Sequence, residues 1–312
     1  MLTVCVDCAG MNLLLSALLC FLLCSMLPVD SMMVRQPVPL NMAEDAVDDM
    51  YDGCTDAMAE TVKNKYFEEE NTGIFGRVWE NAAECAEENL QQRDSEDQDL
   101  TRDHMQAICV YTAEYEHFYE KFNDHVRNNR SIYTSHFPFH SLHFWLTSAV
   151  QTLNQNNKCH TTYRRTDLQF SGRINQRIRF GYFASSSYKT TLKNFGQKTC
   201  FQIRTCSGGF MKHYSAFWDT EQEVLIPPYE VFNITDRKSG SAAPGLTDCE
   251  VVYVLESAGV QSHLNCERNN YYYNKTEINL LYLKKSSVHC AGLYRIRRSN
   301  LIPVLVFSVG SQ

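Results

Sequence analysis

The sequence predicts an α+β protein, on two observations. Residues 41–157 carry apolar side chains at three- and four-residue steps, the period of an amphipathic helix. From Cys159 onward the pattern changes to short runs rich in β-branched and aromatic residues, the signature of strands. Helices first and strands later segregate in one α+β unit rather than alternate around a parallel sheet. A chain of 312 residues, 44% hydrophobic and 12% aromatic, is long enough to bury a sizeable core as one large domain or two small ones.

Residues 1–31 read as a secretory signal peptide. The apolar run from Met11 to Cys24 has the length of its hydrophobic region, and Ser31 is the last removed residue. A basic stretch before it is missing, and translation from Met11 would place the run at the usual depth. As a membrane anchor the run would be short.

In the helical part, Ile108, Tyr111, Tyr115, Phe118, Phe122 and Val126 form one apolar stripe. Leu142, Leu146, Val150 and Leu153 form another after Pro138. Both are expected to face the core as scaffold. Strands are expected at 177–183, 198–205, 223–226, 251–255 and 278–283, with a loop at Asp236–Asp248. The chain closes, over 293–312, on three arginines and an apolar tail, Leu301–Val309. A lipid-anchor signal of the GPI type would look similar but longer, so free secretion is the first expectation.

Charge and cysteines narrow the partners. The net charge is −7, yet residues 41–103 hold nineteen acidic and five basic side chains and residues 104–312 hold fifteen and twenty-three. The basic balance of the later part suits an anionic ligand, although scattered solvated charges would give the same count. No nucleic-acid-reading motif is present and the basic residues are dispersed, so no nucleic-acid partner is expected. Outside the leader stand Cys54, Cys85, Cys109, Cys159, Cys200, Cys206, Cys249, Cys266 and Cys290. None are spaced C-x-x-C, so disulfides are expected rather than a metal site. Sequons at Asn129, Asn233 and Asn274 agree with a secreted glycoprotein.

Three signals carry chemistry: Tyr163-Arg164-Arg165, Phe183-Ala184-Ser185-Ser186-Ser187, and Glu221-Gln222-Glu223-Val224-Leu225-Ile226-Pro227-Pro228. Singly each has a bland reading as a basic patch, a β-surface or a pair of solvated carboxylates. Together, in this order and with 21 residues from Arg164 to Ser185, they resemble the R–S–E-x-E signature of the arginine-specific mono-ADP-ribosyltransferase ectoenzymes. The resemblance spans about residues 40–268. It implies a two-sheet β core behind the helical part, a catalytic domain over 32–292, and NAD as the substrate with no further cofactor.

It also implies roles. Arg164 would hold the NAD pyrophosphate, because a guanidinium fork matches phosphate oxygens, and the backbone at Arg165 would hold the nicotinamide amide. Ser185 would bond the nicotinamide ribose, and Phe195 would stack on nicotinamide. Glu223 would stabilise the oxocarbenium-like ribose that forms when the glycosidic bond breaks. Glu221, two residues away and on the same face of an extended segment, would orient the acceptor guanidinium and help remove its proton. Tyr214, Phe217 and Trp218, on the loop between Cys206 and Glu221, either face an acceptor arginine or pack beneath the loop. The resemblance implies the pairs Cys54–Cys266 and Cys159–Cys206 and leaves the other cysteines open. Arg165 stands where the family usually has glycine. The implied activity is transfer of ADP-ribose to arginines of secreted or cell-surface proteins. An NAD glycohydrolase and a catalytically silent binding protein on the same scaffold are the alternatives.

Overall fold

The protein is described from a computed structural model covering residues 36–267. The leader, the tail, the 278–283 run, Asn274 and Cys290 lie outside the described residues.

The N-terminal half is helical, as the periodicity predicts. Helix α1 (Thr55–Thr61) passes through a π-turn (Val62–Tyr66) into α2 (Phe67–Glu70). Then come α3 (Gly73–Asn81), α4 (Ala83–Gln91), α5 (Arg102–Thr112), α6 (Phe118–Asn128) and α7 (His140–Leu153). Thr101 caps α5: its hydroxyl accepts the His104 N–H while the His104 ring bonds back to the Thr101 N–H. The single stripe expected from Ile108 to Val126 is broken. Helix α5 stops at Thr112, and Glu116 and His117 take positive φ (50° and 52°) before α6 begins. Phe118, Phe122 and Val126 are nevertheless fully buried, as are Leu142, Leu146 and Val150 of α7. These side chains form the main core with Trp79, Phe139 and Phe183. Truncating one of them to alanine costs about 2–5 kcal/mol.

Among the described residues there are ten strands, the first before the helices and the other nine after them. They are β1 (Val38–Pro39), β2 (His160–Thr166), β3 (Phe170–Ser171), β4 (Arg177–Ile178) and β5 (Ala184–Ser187). Next are β6 (Thr199–Thr205), β7 (Gly209–Phe210), β8 (Glu223–Ile226), β9 (Glu230–Lys238) and β10 (Val251–Val260). β1 and β3 form a small parallel pair, and the others one sheet in the order β4-β9-β10-β6-β2-β5-β8-β7. Among its described strands only β10 and β6 run parallel. The two halves meet at one register pair, Tyr163 with Ser187, between β2 and β5. The sheet is therefore pinched there, and a cleft opens along the pinch.

The 177–183 run is not one strand. It leaves the sheet after Ile178, and Gly181 turns with φ 70° against Ala43, where a Cβ would meet that methyl at 2.3 Å. β9 forms where no strand is expected, and it takes in the first residues of the expected 236–248 loop. The rest of that loop buries Ala243 and Leu246 against Cys200, Cys249 and Val252.

Among the described residues four disulfides close the fold. Cys54–Cys266 and Cys159–Cys206 are the two that the resemblance implied; Cys85–Cys109 and Cys200–Cys249 are the other two. Each contributes about 2–4 kcal/mol. Beside the first, buried Asp48 ion-pairs with Arg179 (2.6 Å) and accepts the backbone N–H groups of His263 and Leu264. Asp49 accepts from the Tyr133 hydroxyl and the Cys266 N–H. Burial pushes the Asp49 carboxyl up to about 6 despite those bonds.

Candidate active site

The pinch between β2 and β5 is roofed by the helical half, leaving a cleft of about 450 Å³. Arg164, Ser185, Glu221 and Glu223 all line it, so residues up to 59 positions apart in sequence converge. Arg164 lies on β2, Ser185 on β5 and Glu223 at the first residue of β8. In register, Ser187 faces Glu223 and Ser185 faces Leu225.

Arg164 Nη1 donates to the Ser185 carbonyl at 2.6 Å, and its guanidinium lies 5.9 Å from the Tyr182 ring. A guanidinium has five N–H donors, so this bond leaves a fork for an anion. Arg165 also lines the cleft. Adjacent strand residues point to opposite faces, and its side chain turns away from the cleft. It donates to the Thr190 carbonyl and pairs with Asp248, so its guanidinium does not reach a ligand in the cleft. Its backbone is ordinary strand without positive φ, so glycine's freedom is not used at this position.

Glu223 is buried. The Ser215 hydroxyl lies 3.4 Å from its carboxyl, and the Ser185 hydroxyl is near enough to favour its ionised form. Burial pushes it up to about 7, aided by the nearby Glu221 charge; the two serines and Arg164 pull the other way. Glu221 is half-exposed and also shifted upward, first by burial and then by Glu114. The strand begins at Glu223 as expected, and the segment before it is not extended. Glu221 ends a 3₁₀ turn and Gln222 takes φ 48°. The kink, not a strand's alternation, brings both carboxyls to the cleft.

The aromatic expectations divide. Tyr214 is fully buried, its hydroxyl donating to Asp97 at 2.7 Å, so it packs beneath the loop. Phe217 and Trp218 are exposed at the loop's tip, and Phe217 lines the cleft. Phe195 is exposed on a 3₁₀ turn and lines the cleft from the β5–β6 loop. Near Tyr214, Lys212 Nζ sits among Asp94, Glu96 and Asp97 at 3.2, 2.5 and 2.7 Å. This ties the loop's base to the helical half, and an ammonium already fills the carboxylate cluster.

Tyr111, Glu114, Tyr119 and Glu120 also line the cleft. The sequence reading placed Tyr111 in a scaffold stripe and gave the neighbouring carboxylates no role. The signal available was Glu114, an acidic residue interrupting the stripe between Tyr111 and Tyr115.

A guanidinium, a serine and a buried carboxylate thus gather at a pinched sheet, the constellation that the resemblance to the ADP-ribosyltransferase class implies. The model of the NAD:arginine ADP-ribosyltransferase family matches residues 40–246, and the chain belongs to that family. It is 34% identical over 241 residues to human ecto-ADP-ribosyltransferase 5, covering 73% of this chain and 80% of that protein. It is 32% identical over 252 residues to human GPI-linked NAD(P)(+)--arginine ADP-ribosyltransferase 1, covering 74% and 75%. Among solved structures, the eukaryotic mono-ADP-ribosyltransferase ART2.2 superposes with a TM-score of 0.62 at 29% identity, covering 74% of this chain and 99% of that one. Mutants of ART2.2 have been solved in complex with NADH and with NAD.

Proposed function

We propose that residues 32–292 form a catalytic domain that transfers ADP-ribose from NAD to arginine side chains, with Arg164, Ser185, Glu223 and Glu221 carrying the chemistry. The observation that supports this most strongly is the convergence of Arg164, Ser185 and the buried Glu223 in one cleft with Glu221 at its rim.

Arg164 pairs with the pyrophosphate through donors left free by Ser185. The bond between ribose C1′ and the nicotinamide nitrogen breaks, its electron pair leaves on nicotinamide, and positive charge develops on the ribose. Glu223, ionised in the working enzyme, sets its carboxylate against that charge and stabilises the transition state more than the ground state. Ser185 fixes the Glu223 carboxyl. A guanidinium nitrogen of the acceptor then attacks C1′, and Glu221 at the cleft rim takes the proton lost. A protonated guanidinium is a poor nucleophile, so a carboxylate with a raised affinity for protons is suited to the task. Phe217 and Trp218 offer exposed ring faces to the acceptor side chain.

Four disulfides fit an oxidising compartment, in line with relatives named as ectoenzymes, one of them GPI-linked. We read residues 1–31 as the leader and 293–312 as a tail outside the domain. Incubating the purified protein with labelled NAD and a small guanidino compound tests the proposal. Labelled acceptor with equimolar nicotinamide supports transfer. Free ADP-ribose alone reassigns the protein as a glycohydrolase, and intact NAD reassigns it as a binding protein.

A further inference from the structure

We infer that Arg165 is a positioning residue that fixes the wall of the NAD cleft by clamping the 188–196 loop; the inference rests on the NAD reading of that cleft. The Arg165 guanidinium is 3% exposed. Nε and Nη2 both donate to the Thr190 carbonyl, at 3.0 and 2.7 Å. Nη1 and Nη2 engage the two oxygens of Asp248, at 3.0 and 3.1 Å. Nη1 also lies 3.5 Å from Cys249 Sγ and 4.0 Å from Cys200 Sγ, so the Cys200–Cys249 bridge seals it from below. One planar group thus joins β2, the 188–196 loop and the segment before β10.

Thr190 is held from its other side as well. Gly245, at φ 78°, packs so closely that a Cβ would meet Thr190 Cγ2 at 2.9 Å. The loop's far end is fixed independently: Gly196 lies on the Thr166–Asp167 backbone, and the Gln197 N–H donates to Asp167 Oδ1 at 3.0 Å. Between these anchors, Leu192 and Phe195 line the cleft. The geometry makes the reach of those two side chains depend on Thr190, and Thr190 on Arg165. Arg164 and Arg165 then divide the work across one strand: the first meets the ligand, the second sets the wall beside it.

The test pairs hydrogen exchange with steady-state kinetics on the purified wild type, Arg165→Ala, Arg165→Lys and Asp248→Asn. In Arg165→Ala, amides of 189–195 exchange at least tenfold faster while those of β6 and β8 keep their rates. KM for NAD rises about tenfold, kcat changes less than twofold, and KM for a guanidino acceptor is unchanged. Lysine does not rescue, because an ammonium cannot span the Thr190 carbonyl and both Asp248 oxygens. Asp248→Asn, which keeps the guanidinium, gives an intermediate KM and carries the test if the alanine variant does not fold. Unchanged loop exchange overturns the clamp. Faster exchange with an unchanged KM for NAD, or with an equal rise in the acceptor KM, overturns its role toward NAD. If NAD protects no cleft amide in the wild type, the NAD reading itself falls, a result distinct from either.

Discussion

Arg164 Nη1 bonds the carbonyl oxygen of Ser185, not its hydroxyl. The hydroxyl is therefore available to Glu223, whose carboxyl it pulls downward. Ser185→Ala should keep the Arg164 contact and lose the hydroxyl's action on Glu223 and on Tyr111. We expect kcat/KM for NAD to fall about tenfold and the rising limb of its pH profile to move to higher pH. A loss of activity with an unmoved profile would place the serine's effect elsewhere.

Glu223 makes stability and activity depend on pH in opposite directions. Its folded carboxyl titrates at about 7 against an ordinary value of 4.5. Between those values the folded protein keeps a proton that the unfolded chain has given up, so this group's contribution to stability declines as pH rises through the window. The full difference is about 3 kcal/mol. Glu223→Gln should match wild type near pH 4.5 and exceed it in thermal stability at pH 8. Meanwhile kcat/KM of the wild type should rise with pH through an apparent pKa near 7, because the carboxylate is the working form. Equal thermal stability of the two proteins at both pH values would contradict the burial argument.

The third glutamate of the region is structural. Glu230 is fully buried and accepts from the Cys206 N–H at 2.7 Å, the Ser207 N–H at 3.1 Å, the Ser257 hydroxyl at 2.7 Å and the Thr205 hydroxyl. An amide cannot accept on both ends. Glu230→Gln should lower stability by about 2–4 kcal/mol, read by denaturant unfolding, while folded molecules retain NAD turnover. An unchanged midpoint would show that the network is not needed.

Lys212 anchors the loop that carries Glu221. Lys212→Met keeps most of the stem but leaves Asp94, Glu96 and Asp97 without their shared cation. We expect a loss of about 1–2 kcal/mol, limited by the exposure of Glu96. KM for the acceptor should rise while acceptor-independent nicotinamide release is kept. An equal rise in the KM for NAD would show that the anchor shapes the whole cleft.

Much of this site was legible because it depends on local order. Helices α5 to α7 are periodic, β6 and β8 are dense in branched residues, and Arg164, Ser185 and the glutamate pair sit on or beside such runs. What was not legible depends on contacts remote in sequence. The fate of the Arg165 side chain is decided by Asp248, 83 residues on. Tyr214 is drawn inward by Asp97, 117 residues back. The break in the 108–126 stripe and the kink before Glu223 rest on positive φ at Glu116, His117 and Gln222, none of them glycine. No local propensity announces such backbone, and strain of this kind gathers at functional sites.

The division of labour between Glu223 and Glu221 is the centre of the account. The direct measurement follows nicotinamide release and labelled guanidino product together, in wild type, Glu223→Gln and Glu221→Gln. The account predicts that Glu223→Gln loses both signals by at least a hundredfold. It predicts that Glu221→Gln keeps nicotinamide release but yields free ADP-ribose in place of labelled acceptor. Product formation by Glu223→Gln at near wild-type rate, or equal loss of both signals in Glu221→Gln, would contradict it.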